Sequence, residues 1–206
     1  GAKGAAVFNQ SVITYSEESP SGEWITNNGL TNRYRYNESI IGAYGQMTWE
    51  KDKWYAQAGA RVEWASMQGF EPNSNQQLLS RDYWHVFPTA TLQYRFAKDW
   101  MTGINYRTSI DRPSFGAMNN FEDLVDQYTI ERGNPFLIPA YNHSLEWSIS
   151  YLEMASFEVE LARTYNDMNL FIEKQGDVFN IITRNYDQVD QLNISLNLPY
   201  ENKWWP

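Results

Sequence analysis

The chain has 206 residues with a mean hydropathy of −0.61 and no run of about 18 apolar residues, so the sequence contains no candidate transmembrane helix. Its formal net charge of −9 disfavours a nucleic-acid partner, which would require a basic surface. It has no cysteine, which excludes a disulfide framework and a cysteine-based zinc site. Aromatic residues reach 16%, which is typical of membrane interfaces and binding clefts, where one end of a ring is dry and the other wet.

Alternation of apolar and polar residues predicts β-strands along most of the chain. It is clearest from Trp54 to Trp64, where every second residue is Trp, Ala or Val. Such a strand, tilted by about 45°, spans about 25 Å, which is the height of the apolar band of an outer-membrane barrel. About eight strands are predicted, over residues 4–15, 41–50, 54–64, 84–96, 100–109, 141–151, 157–164 and 191–198.

The predicted connections alternate in length. Short turns are expected at residues 51–53, 97–99 and 152–156. Long segments are expected between them, at residues 16–37, 65–83, 111–140 and 166–188. This alternation is typical of outer-membrane barrels, which have short periplasmic turns and long extracellular loops.

Aromatic residues bracket each short turn and lie at the far end of several strands. On a barrel they would form the girdles at the two membrane interfaces. The predicted girdle residues are Trp49, Trp54, Trp64, Trp84, Phe96, Trp100, Tyr151 and Phe157, with Tyr106, Tyr141 and Tyr165 near the outer rim. The expected fold is therefore all-β, an antiparallel up-and-down meander in which residues 1–206 are a segment of one large transmembrane β-barrel domain.

A soluble β-sandwich that binds carbohydrate on its aromatic rings is the alternative. The two folds differ in where the apolar strand faces point, because a sandwich packs them together in a dry core and a barrel turns them outward. If they point outward, the isolated chain should self-associate through them, and a monodisperse monomer in detergent-free light scattering would contradict the barrel.

Several motifs between residues 87 and 151 resemble a known family. They are Phe87-Pro88-Thr89-Ala90, then Tyr106-Arg107-Thr108-Ser109-Ile110-Asp111-Arg112-Pro113, Arg132-Gly133-Asn134-Pro135-Phe136-Leu137-Ile138-Pro139, and His143-Ser144-Leu145-Glu146. This pattern resembles the barrel of TonB-dependent outer-membrane receptors, especially the Bacteroidetes-type outer-membrane β-barrel family. Arg107 and Ala140 depart from it, where the family often has Ser and Glu.

The resemblance implies a barrel of about 22 strands around an N-terminal plug. It also implies a bacterial outer-membrane location and uptake of a glycan, peptide or metal chelate driven by the inner-membrane TonB system. A surface lipoprotein is a further possible partner, and membrane lipid surrounds the barrel. Plug, TonB box and the remaining strands are expected outside this chain. No cofactor and no enzymatic activity are expected.

Two groups of residues are candidates for ligand binding. Arg107 and Arg112 could grip an anionic ligand, although an ion pair with a lumen carboxylate such as Glu146 is the favoured interpretation for Arg107. The long segment 111–140 adds aromatic and amide side chains suited to sugars or peptides. Its candidates are Phe115, Asn119, Asn120, Tyr128 and Asn134, of which Asn134 is better explained by loop geometry.

Other patterns carry little chemistry. Glu158 and Glu160 have roughly the spacing of paired glycosidase carboxylates, but any polar barrel wall produces it, so a secreted hydrolase is disfavoured. His85 and His143 lack metal-ligand spacing, and no metal site is expected. Arg163 falls on the predicted lipid-facing side near the outer rim, where it could meet lipid phosphates.

Overall fold

The computed structural model describes residues 1–14, 16–26, 32–72, 76–119, 121–152 and 154–199. Within these ranges almost all regular structure is β-strand, with one helical turn. The elements are β1 (Ala2–Ile13), β2 (Ser16–Glu18), β3 (Trp24–Thr26), β4 (Asn32–Lys51), β5 (Trp54–Glu71), β6 (Gln76–Ala97), β7 (Trp100–Asp111), α1 (Phe115–Met118), β8 (Glu122–Asp126), β9 (Thr129–Arg132), β10 (Ala140–Tyr151), β11 (Ala155–Gln175) and β12 (Val178–Asn197).

Ten of the strands form one sheet in the order β1-β4-β5-β6-β7-β10-β11-β12-β9-β8. Its eight long strands are the eight predicted from the sequence, and each is antiparallel to the next. The strand count is higher than predicted because segment 111–140 contributes β8 and β9, and because β2 and β3 pair in a small sheet of their own. The antiparallel meander is therefore confirmed, and in the described residues the sheet is open.

The register of the sheet keeps apolar and polar residues on opposite faces. One continuous row across seven strands is apolar and lies on the outward face: Trp49, Ala56, Leu92, Ile104, Trp147, Val159 and Ile194. The adjoining row, one residue along each strand, is polar and lies on the inner face: Thr48, Gln57, Thr91, Asn105, Glu146, Glu160 and Asn193. Side chains alternate across a strand, so the two rows define two chemically different surfaces.

The outward apolar face is uncovered. Met47 is 76% exposed and Trp84 is 70% exposed. No second sheet packs on this face within the described residues, so the sandwich alternative is wrong. No helix in the described ranges has the length and apolar character needed to cross a membrane.

The predicted short turns are confirmed, whereas two predicted long segments are mostly strand. β5 and β6 extend through much of residues 65–83, and β11 and β12 through much of residues 166–188, where a tight turn at Gly176 (φ 64°) joins them. These strands reach 18 to 22 residues, well beyond the roughly 9 to 11 needed to span a bilayer. The extensions were missed because their inner-facing residues are apolar as well, which breaks the alternation expected of a lumen wall.

Candidate functional site

The segment from Arg112 to Pro139, here called the inward loop, folds onto the inner face of the strand extensions. It carries α1, β8 and β9. Its side chains complete a buried apolar cluster with residues of β4, β5 and β6, and Phe115 stacks on Tyr34 with 5.6 Å between ring centroids. The cluster consists of Tyr34, Tyr36, Met67, Leu79, Met118, Phe121 and Leu137. Each large side chain buried in this way stabilises the arrangement by about 1.5 to 3 kcal/mol.

Arg112 ties the start of the inward loop to three strands. Its guanidinium donates to Glu63 of β5 at 2.7 Å and to the hydroxyl of Tyr83 of β6 at 3.0 Å, and lies 3.6 Å from Glu38 of β4. The side chain of Glu63 is only 1% exposed, and Arg61 also contacts it. Because a buried carboxylate is costly without a partner, Arg112 has a structural role at this position.

The end of the inward loop is held at two opposite places. Arg81 of β6 donates to the carbonyl oxygens of Leu137 at 2.6 Å and Phe136 at 3.1 Å. On the other side, Asn185 of β12 exchanges two hydrogen bonds with the backbone of Ile138, at 2.8 and 2.9 Å. The loop therefore crosses the inner face of the sheet from β6 to β12.

Asn134 shapes the turn within the Gly133-Asn134-Pro135 motif. Its Oδ1 accepts from the backbone N–H of Phe136 at 3.0 Å, and its Nδ2 donates to the carbonyl of Thr183 at 3.1 Å. A Cβ on Gly133 would collide with the carbonyl oxygen of Asn119, so only glycine fits at that position. Both polar atoms of the Asn134 amide are engaged with the protein itself.

A cavity of about 460 Å³ lies between the inward loop and the tips of β11 and β12. It combines apolar, amide, acidic and basic groups. Among the described residues, the Nε of Arg132 is buried without a hydrogen-bond partner. The groups that give the cavity its chemistry are Asn119, Phe121, Asp123, Glu131, Arg132 and Leu170.

The electrostatics of the loop region favour neutral tyrosines and an acidic surface. Burial raises the pKa of Tyr34 to about 12. Burial also raises the pKa of Tyr36, and the carboxylate of Glu38 adds to this shift. Both hydroxyls thus stay protonated beneath the loop at neutral pH. The loop carries four carboxylates and two arginines, so its exposed side is acidic.

The other candidate ligand residues are dispersed. Arg107 lies on the inner wall and pairs with Glu160 at 3.1 Å, not with Glu146, because the side chain reaches past the adjacent strand to the next one. Tyr128 is 54% exposed at the turn between β8 and β9, away from the cavity lining. Phe115 and Asn119 belong to the loop region, whereas Asn120 lies outside the described residues.

The carboxylate and histidine patterns do not assemble a reactive site. Glu160 accepts from Ser144 at 2.5 Å and Asn193 at 3.2 Å, and Glu158 accepts from Ser156 at 2.9 Å. His85 stacks on Tyr141 with 3.8 Å between ring centroids. Within the described part of the chain, no group of three or more His, Asp or Glu residues is arranged to hold a metal ion.

A profile of the outer membrane protein beta-barrel family matches residues 1–206. The chain belongs to this family. A sequence comparison with curated proteins finds no significant match. The family places the chain in the bacterial outer membrane, so the outward apolar rows face lipid.

Two solved structures share the fold. One is a double mutant of the Serratia marcescens hemophore receptor HasR in complex with its hemophore HasA and heme, with a TM-score of 0.61 and 14% identity over 94% of this chain. The other is the copper transporter OprC, with a TM-score of 0.62 and 12% identity over 96%. The chain spans 39% and 33% of these two proteins. The predicted resemblance is confirmed for the outer-membrane family and for the barrel fold.

The predicted girdle aromatics lie on the outward face of this family barrel. Near the short turns Trp54 stacks on Tyr94 at 4.3 Å, and Trp100 packs on Tyr151 at 4.9 Å. Trp49, Phe96 and Phe157 lie on the same face at the rim beside the short turns. Trp64 and Trp84 are paired directly on this face near the other rim.

Tyr141 differs from the expectation of an outer-rim girdle residue. Its ring stacks on His85, whose neighbours Tyr83 and Phe87 are on the inner face of β6. The pairing between β6 and β7 ends at Thr89 and Arg107, so the ring of Tyr141 reaches β6 where these two strands no longer pair.

The residues that hold the inward loop carry no recognisable signal in the sequence. Glu63 fell on a predicted inner face as one polar residue among several, and nothing in its spacing indicated a partner 49 residues away. Arg81 and Asn185 fell in predicted long connections. Only the clustering of Arg, Gly, Asn and Pro at residues 132–135 marked a place where the chain turns tightly.

Proposed function

We propose that the chain forms part of the barrel of a TonB-dependent nutrient receptor, in which the inward loop presents a captured ligand to the lumen. The proposal rests on the inward loop, because this loop places a mixed polar cavity on the inner face of a membrane-spanning sheet. The wall beside it is lined with polar groups along which a hydrophilic solute can pass. Binding and passage require no bond to be made or broken, so the protein is not an enzyme.

The cavity favours a ligand with both charged and apolar groups. Arg132 suits a carboxylate, whereas Asp123 and Glu131 suit an ammonium group. Phe121 and Leu170 add an apolar surface. Of the three expected nutrient classes, a short peptide uses the most of these groups, while a glycan would use mainly Phe121 and Asn119. The TonB system and a surface lipoprotein are the partners that we propose for the whole receptor.

An uptake assay on cells producing the full-length receptor tests this function. A mixture of di- and tripeptides, a set of oligosaccharides, and haem and ferric chelates would be supplied in labelled form. We expect accumulation of one class that depends on the receptor and stops when the inner membrane is de-energised. Arg132→Gln should lower the apparent affinity about tenfold, because a charged hydrogen bond contributes roughly 1.5 to 3 kcal/mol.

Arg184→Gln is the matched control. Arg184 is adjacent to Thr183 on β12 but is not among the residues that line the cavity, and it pairs with Glu173 at 2.5 Å. It should leave uptake unchanged. Accumulation that persists without an energised membrane would contradict energised transport. Equal uptake by Arg132→Gln and wild type would show that the cavity does not bind the transported ligand.

A further inference from the structure

A polar row crosses the lipid-facing side of the sheet near the outer rim. Across β7, β10, β11 and β12 the register aligns Thr108, His143, Arg163 and Asp190. These strands face lipid, so polar groups at this height need partners in the protein or in the membrane.

The protein supplies some of those partners. Arg163 binds Asp190 through two hydrogen bonds, at 2.7 and 3.0 Å, and Gln188 donates to the same carboxylate at 3.0 Å. The Tyr106 hydroxyl and His143 Nδ1 are 2.9 Å apart. Arg163 is thus one half of an ion pair. Its side chain remains 49% exposed and that of Asp190 remains 56% exposed.

An apolar row lies two residues further along β10, β11 and β12, towards the short turns. It consists of Leu145, Leu161 and Leu192, which face each other in register and are 45%, 55% and 59% exposed. Between the polar and the apolar row is a shallow cavity of about 370 Å³, bounded by Tyr106, His143, Leu161, Arg163 and Asp190. Polar groups on one side and leucines on the other match the boundary between lipid headgroups and acyl chains.

We propose that this cavity is a binding site for one outer-leaflet lipid with a phosphorylated, hydroxyl-bearing headgroup. A guanidinium has more N–H donors than its two bonds to Asp190 use, so Arg163 can also donate to a phosphate oxygen. Asp190 can accept from a headgroup hydroxyl, and the leucines contact the acyl chains. A neutral ion pair attracts simple anions poorly, so a ligand that both donates and accepts at this height is favoured over free phosphate.

The test measures lipid bound to the full-length receptor. The receptor would be extracted from outer membranes in mild detergent, and retained lipid would be quantified by native mass spectrometry and by organic phosphate per receptor. We expect wild-type protein to retain a phosphorylated lipid. The double variant Arg163→Gln/Asp190→Asn, which keeps the net charge and the shape of the side chain at residue 190, should retain at least about tenfold less.

A second ion pair on the same two strands and the same face provides the control. Arg184 and Glu173 have comparable exposure, 46% and 42%. Along their strands, Arg184 lies about 20 Å and Glu173 about 33 Å further from the leucine row than Asp190 and Arg163 do. Arg184→Gln/Glu173→Gln should retain lipid as wild type does. The His143→Phe variant keeps an aromatic ring beside Tyr106 but loses the ring nitrogen, and it should also lower the amount of retained lipid. Heat-modifiable mobility in gels shows that each variant barrel is folded.

Two outcomes would overturn the proposal. Equal lipid retention by the Arg163/Asp190 variant and wild type would show that these two side chains only neutralise each other and do not bind the lipid. Displacement of the lipid by millimolar inorganic phosphate would indicate an anion site that does not recognise the lipid as a whole.

Discussion

Arg112→Leu is expected to release the inward loop and to lower its local stability by about 3 kcal/mol, the lower end of the range for breaking a buried ion pair. The substitution leaves Glu63 buried without its 2.7 Å partner, while Arg61 still contacts that carboxylate and compensates in part. Hydrogen exchange of residues 112–139 in the full-length receptor measures this directly. Limited proteolysis should cut the loop in the variant and spare it in wild type.

Two further variants separate a lost ion pair from a lost side chain. Arg112→Leu combined with Glu63→Leu should recover part of the protection, because no uncompensated carboxylate remains. Arg107→Leu removes an arginine whose side chain is 59% exposed, so it should cost less than about 1 kcal/mol. If Arg112→Leu leaves the exchange of the loop unchanged, the apolar cluster alone holds the loop and the ion pair does not.

Arginine on the lipid-facing side is expected to cost far more than arginine on the inner wall one residue away. Ala58 faces outward, in register with Met47 and Ala90, and Gln57 faces inward beside Thr48 and Thr91. Ala58→Arg should destabilise the full-length barrel by about 2 to 4 kcal/mol, the cost of a cation near the bilayer midplane. Gln57→Arg should change the free energy of unfolding little, because its side chain stays in the polar lumen.

Reversible unfolding by guanidinium from lipid vesicles gives both free energies. The pair is well matched, because the two sites are neighbours on β5 and receive the same side chain. Equal costs would mean that the outward face does not contact lipid. A larger cost for Gln57→Arg would mean that the two faces are reversed.

The membrane-spanning part of the fold could be predicted because its chemistry has a period of two residues. Trp54, Ala56 and Ala58 must face hydrocarbon while Gln57 must face water, and a slip of one residue would exchange the two faces. The same constraint aligns neighbouring strands. The two rows that start at Trp49 and Thr48 therefore continue across seven strands.

The inward loop was decided by tertiary structure. Residues such as Met67 and Leu79 are apolar on the inner side of the sheet, where a lumen wall is expected to be polar, and their role becomes clear only when Met118 and Leu137 pack on them. Arg112 pairs with Glu63, which is 49 residues away in the chain, and Arg163 pairs with Asp190, which is 27 residues away. The sequence by itself determined the membrane-spanning strands and their two faces, because these depend on local alternation. Tertiary structure alone decided the loop, its cavity and the outward ion pair, because these depend on contacts between residues far apart in the chain.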